Sequence, residues 1–119
     1  MIALGADHGG YKLKEAVKKY LEAEKIEYRD FGTFDEKSVD YAPIAAQVAH
    51  SVADGKAVFG ILCCGTGIGM SMAANKVKGI RAAVCTDAYC AEITRHHNNA
   101  NILCLGGRVI DEKRAVEFA

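Results

Sequence analysis

The chain has 119 residues, enough for one domain with a single apolar core and too few for a two-domain cofactor enzyme. Fifteen Lys plus Arg balance fifteen Asp plus Glu, so no net field favours nucleic acid or an anionic membrane, and any bound anion must be held by local groups. Apolar stretches such as "AVFGILCC" fall short of the roughly 20 residues that span a bilayer, and the amino terminus lacks the basic start of a signal peptide, so a cytoplasmic protein is expected.

In chain order, "IALGA" at residues 2–6 reads as a buried strand. The following "GYKLKEAVKKYLEAE" is an amphipathic helix, with Leu13, Val17, Tyr20 and Leu21 on one stripe and the lysines and glutamates opposite. A strand at 27–31 leads through the polar loop "GTFDEKSVD" to a helix that Asp40 caps, that tolerates Pro43 in its first turn, and that runs to about Asp54. His50 is expected on its surface. A strand at 57–63 meets a glycine loop and a helix from about Ile68 to Lys76. A strand at 80–85 precedes a helix from about Asp87 to Arg95, and a strand at 102–106 precedes a closing helix.

Strands that are apolar on both faces and separated by single helices imply a parallel sheet covered on both sides, with right-handed crossovers. The predicted fold is therefore a doubly wound, Rossmann-like α/β domain over residues 1–119, three αβα layers around a five-stranded parallel sheet. Ligands of such folds bind outside the carboxyl ends of the strands. The residues expected there are Asp7-His8-Gly9-Gly10, Gly32-Thr33, Cys64-Gly65-Thr66-Gly67, Thr86-Asp87 and Gly106-Gly107-Arg108.

The glycine loop invites a nucleotide reading, and Asp87 lies where a ribose-binding acid would. Its glycines at 65, 67 and 69 give G-x-G-x-G, however, not the dinucleotide G-x-G-x-x-G, and no Lys-Ser/Thr follows for a P-loop. Neither nucleotide nor other cofactor is expected. Glycines nevertheless let a backbone approach a ligand closely, and amides opening a helix turn the positive end of its dipole toward an anion.

Five cysteines without C-x-x-C spacing suggest neither a disulfide framework nor a zinc site. Cys63, Cys85, Cys90 and Cys104 read as small buried hydrophobes. Cys64, where strand gives way to loop, admits two readings: a structural thiol, or a base or nucleophile activated by the helix field.

Asp7 beside His8 can orient the imidazole, bind sugar hydroxyls or share a proton, or Asp7 can merely cap the next helix. His96-His97-Asn98-Asn99 falls at a helix end, where cations are ordinary capping groups. Arg108 can fork onto a phosphate or stand solvated, and Tyr41 can wall a pocket or pack on its helix.

Together, "GADHGGYKLKE", "GTFDEKSVDY", "GILCCGTGIGMSMAANKVKGIRAAVC" and "AEITRHHNNANILCLGGRVI" resemble the type B ribose-5-phosphate isomerases and their wider family, which includes galactose-6-phosphate and allose-6-phosphate isomerases. The resemblance runs in register from residue 2 to the end. It implies aldose-ketose interconversion of a phosphorylated sugar through a cis-enediolate, ribose 5-phosphate to ribulose 5-phosphate, without metal or cofactor. A hexose-6-phosphate isomerase and a non-catalytic phosphosugar-binding module are the alternatives.

Under the resemblance, Cys64 matches the general base, and Gly65, Gly67 and Gly69 with the Thr66 hydroxyl match the enediolate-stabilising loop. His97 matches the ring-opening acid/base, Asp7 its partner or a hydroxyl ligand, and Asn98 a substrate contact. His8 and Arg108 match phosphate-side contacts and Tyr41 a pocket wall, whereas Cys63 and His96 match no role. The resemblance also implies a homodimer with active sites at its interface, His97, Asn98 and Arg108 serving the partner's Cys64, with a dimer of dimers as a further assembly.

Two departures stand out. Ala42 separates the Asp40-Tyr41 pair from Pro43, where the family places proline directly after the pair. Family members also continue through a longer last helix to a basic segment that clamps the phosphate, whereas this sequence stops after "DEKRAVEFA". The expectation is either a piece of a longer chain or phosphate binding resting on His8 and Arg108 with reduced affinity.

Overall fold

The computed structural model describes residues 1–34, 37 and 40–118, and in it strands and helices alternate in the predicted order. They are β1 (Ile2–Ala6), α1 (Tyr11–Ala23), β2 (Tyr28–Asp30), α2 (Tyr41–Ala53), β3 (Phe59–Cys64), α3 (Ile68–Ala74), β4 (Ala82–Val84), α4 (Ala88–Asn98), β5 (Ile102–Gly106) and α5 (Glu112–Phe118). Part of the polar loop predicted over 32–40, namely Asp35, Glu36, Ser38 and Val39, lies outside the described residues.

The strands form one parallel sheet in the order β2-β1-β3-β5-β4. The order in which strands are added reverses between β1 and β3, which opens a crevice at their carboxyl ends. Register places Ala6 beside Cys63 and Cys64 beside Gly106.

Because successive strand residues face opposite sides, each strand feeds two cores. Leu4, Ala6, Cys63 and Leu105 pack under α1 and α5 with Leu13 and Val17. Ala3, Leu62, Cys64 and Cys104 pack under α2 and α3 with Val48 and Met70. Full burial of side chains such as Leu4, Leu62 and Leu105 contributes about 2 kcal/mol each. The doubly wound α/β architecture is the one the sequence predicted.

Local chemistry sets the helix ends. Asp40 accepts the Ala42 amide at 3.2 Å on its Oδ1, so α2 starts at the predicted cap, with Pro43 in the first turn where no helical N–H is lost. His50 is exposed, as expected. Three helices depart from the reading. Helix α3 closes at Ala74 instead of Lys76, because Asn75 turns its side chain onto both the amide and the carbonyl of Ala82. Helix α4 runs on to Asn98 and closes at left-handed Asn99, φ 51°, so His96, His97 and Asn98 form its last turn. Helix α4 buries no residue, and Cys90 on it is exposed, correcting its reading as a buried hydrophobe. On α1, Lys14 is buried, not on the polar face.

Candidate active site

The crevice is built from three adjacent strand ends. Cys64, the last residue of β3, is 5% exposed, and its Sγ accepts the Gly67 amide at 3.1 Å. Gly67 is left-handed at φ 85°, which folds the chain back over the thiol. Thr66 is exposed and its Oγ1 accepts the Ile68 amide at 3.2 Å. Two of the loop's amides are thus committed inside the loop. Helix α3 has only seven residues, so the dipole anticipated behind the loop is a short one.

Neighbouring loops clamp this one. After β5, the Gly107 amide donates to the Cys64 carbonyl at 2.7 Å and the Arg108 amide to the Gly65 carbonyl at 2.9 Å. After β1, Gly10 passes so close that a Cβ there would lie 2.2 Å from the Cys63 carbonyl carbon. Gly107 faces the same limit, 2.2 Å from the Gly9 carbonyl oxygen. Three backbones pack without side chains between them, which fixes the thiol relative to the β1 loop.

That loop carries Asp7, 8% exposed, whose Oδ1 accepts the amides of Gly9 at 2.8 Å and Gly10 at 3.2 Å. His8, half-buried, and Arg108 line one cleft of about 380 Å³ together with Lys12, Gly107 and Asp111. Lys12 is a cation that sequence reading passed over as a surface residue. From α2, the Tyr41 ring covers Gly69, about 3.0 Å from where a Cβ would sit, and so walls the start of α3. Asp7, His8, Tyr41, Cys64, Gly65, Thr66, Gly67, Gly69 and Arg108 therefore gather at one end of the sheet.

The two adjacent cysteines differ in surroundings. Cys63 faces the α1 and α5 layer, and burial, followed by the neighbouring Cys64, pushes its thiol well above the usual range. Burial likewise raises Cys104 and Cys85. Among the described residues, no cluster of three or more His, Cys, Asp or Glu side chains could hold a metal ion. Asp87, weighed as a ribose ligand, spends its Oδ1 on the Cys90 amide at 2.7 Å as the cap of α4.

His97 and Asn98 lie elsewhere. Helix α4 runs from the carboxyl to the amino end of the strands, and the Asn98 carbonyl accepts Arg81 Nε at 2.5 Å just before β4. Both are exposed and remote from their own Cys64. Arg108 is different: its guanidinium lies over its own chain's Gly65, with Nη1 about 3.1 Å from a Cβ built there. The short β5–α5 turn tethers Arg108 to this loop through the Gly65 carbonyl.

Fold and crevice define a doubly wound α/β protein whose reactive side chains converge on the carboxyl ends of β1, β3 and β5. The chain belongs to the ribose/galactose isomerase family, whose pattern matches residues 2–119, and is an enzyme of the sugar-phosphate isomerase class. It is 47% identical over 109 residues to ribose-5-phosphate isomerase B of Escherichia coli, covering 92% of this chain and 73% of that protein. It is 44% identical to D-erythrulose-4-phosphate isomerase of Pectobacterium atrosepticum, covering 98% and 78%. The structure of Clostridium thermocellum ribose-5-phosphate isomerase B superposes with a TM-score of 0.96 at 50% identity, covering 98% of this chain and 79% of that one.

Proposed function

We propose that the chain interconverts ribose 5-phosphate and ribulose 5-phosphate through a cis-enediolate. The observation that carries this is the Cys64 Sγ, buried at the mouth of the glycine loop with the Gly67 N–H directed at it. As thiolate, Cys64 takes the C2 proton of the open-chain aldose. The electron pair moves into a C1–C2 double bond, and negative charge develops on O1. Passage of the O2 hydroxyl proton to O1 and return of the carbon-bound proton from Cys64 to C1 leave a carbonyl at C2 and complete the ketose.

With the Gly67 and Ile68 amides already committed, the oxyanion falls to the amides of Gly65, Thr66 and Gly69 and to the Thr66 hydroxyl. His97 opens the sugar ring, aided by Asp7, and Asn98 contacts the substrate. The remoteness of His97 from its own Cys64 supports a homodimer in which each site takes His97 and Asn98 from the partner. Arg108 and Lys12 supply positive charge for the phosphate, His8 contacts it, and Tyr41 bounds the pocket. The reading needs no cofactor and carries with it a cytoplasmic enzyme.

Cys64→Ala lowers kcat roughly 10²- to 10⁴-fold in an aldose-ketose assay, while Cys63→Ala stays within about twofold. Full activity of Cys64→Ala overturns the assignment. The similarity to a D-erythrulose-4-phosphate isomerase favours a second reading, a four-carbon substrate. Comparing kcat/KM for tetrose, pentose and hexose phosphates decides between them, and a preference for anything but the pentose removes the first reading.

A further inference from the structure

Lys14 is 1% exposed, yet its ammonium is placed in no catalytic role. Its Nζ lies 2.9 and 2.7 Å from the two Asp30 oxygens at the end of β2 and 2.5 Å from the Thr33 carbonyl. The Tyr11 and Phe34 rings flank it at 5.4 and 4.9 Å, Glu15 Oε2 is 3.9 Å away, and Lys18 reaches Asp30 at 3.5 Å. Replacing a buried ion pair by apolar groups is often neutral or stabilising, so stability alone does not account for this one.

Its geometry does. The backbone of Lys14 donates to the Gly10 carbonyl at 3.0 Å, at the end of the Asp7 turn. Its side chain holds Thr33, whose amide donates to the Ala6 carbonyl at 2.6 Å, while the Ala6 amide donates to the Gly32 carbonyl at 2.6 Å. Asp30 Oδ1 also accepts the Gly32 amide at 2.9 Å. Residue by residue this is a closed ring: Asp7 to Gly10, Gly10 to Lys14, Lys14 to Asp30 and Thr33, and Thr33 back to Ala6, which is bonded to Asp7. The two ends of one lysine grip the turn that carries the carboxylate.

We infer that Lys14, clamped to Asp30 and the Thr33 carbonyl, is a positioning residue that sets the Asp7 carboxylate for the sugar. This rests on the proposed reading of Asp7 as a sugar-handling group. Lys14→Met alone strands a buried carboxylate and can fail to fold, so the informative variant is Lys14→Met/Asp30→Leu, which removes both charges.

In that pair of substitutions, amide hydrogen exchange at Thr33, Gly9 and Gly10 accelerates while β3 and β5 keep their protection. The kcat for aldose falls roughly 10- to 100-fold with a smaller change in KM. In an Asp7→Asn background the same pair costs no more than about twofold, because both lesions act on one group. Unchanged exchange at Gly9 and Gly10 overturns the clamp whether or not the enzyme turns over. An equal fold-loss in both backgrounds, or an undiminished kcat, overturns its action through Asp7. Failure of the parent reading is separate: it is wild-type protein that does not isomerise, or Cys64→Ala that does.

Discussion

The rim formed by the ends of β1, β3 and β5 and the last turn of α4 carry the two groups assigned to proton transfer, and they are held in opposite ways. Cys64 sits in a place where three backbones touch, locked by the Gly107 and Arg108 amides and by the Gly67 N–H on its sulfur. His97 stands on a helix that buries none of its residues, exposed and at the other end of the sheet. A base that meets a weakly acidic C–H gains from being fixed before substrate arrives. An acid/base supplied across a symmetry axis is fixed only when the partner arrives.

The comparison is broken most severely at Gly10. Gly10→Ala drives a methyl into the Cys63 carbonyl and the Cys64 amide, both backbone atoms that cannot yield, and should lower Tm by about 10 °C or more or prevent folding. His96→Ala, on the exposed turn of α4, should leave Tm unchanged. Thermal melts followed by circular dichroism check both, and a Gly10→Ala protein that melts with the wild type would show the rim to be loose.

Mixing subunits tests the other half. Cys64→Ala and His97→Ala proteins, each inactive alone and refolded together in equal amounts, should recover about a quarter of wild-type activity, since half of the dimers then hold one intact site. No recovery would place His97 and Cys64 in the same chain's site, against the separation described above.

The smallest effect concerns how α4 begins. The Cys90 amide holds the Asp87 carboxyl below the usual carboxylate range. A carboxyl lowered in the folded state stabilises it above the unfolded value and loses that contribution as pH falls through the lower folded value. Asp87→Ala should therefore reduce Tm by about 2–4 °C at neutral pH and by less in strong acid. An equal loss at both extremes would deny the carboxylate its part in the cap.

Much of this was legible because local rules agreed with the fold. Apolar runs marked β1, β3, β4 and β5, Asp40 marked the start of α2, and the change from apolar run to glycines placed Cys64 at a strand end. The resemblance supplied roles, and spacing alone left Cys64 open between structure and chemistry. Lys14 was missed although a signal existed: it precedes Val17 by three and Leu21 by seven, so it shares their buried stripe. Lysine's charge outweighed its position in the reading. Cys90 misled in the opposite direction, since a small apolar residue type says nothing about whether a helix has a layer to pack on.

By itself the sequence determined the alternation of strands and helices, the parallel sheet and the cluster of reactive residues after β1 and β3, because periodicity and turn chemistry are local properties. Only the tertiary structure decided which of those residues meet. Strand order put β5 beside β3 and so laid Arg108 over its own Gly65, and it carried the end of α4, with His97, to the far edge. It also closed Lys14 onto Asp30 and Thr33, sixteen and nineteen residues away, a contact that no local pattern specifies.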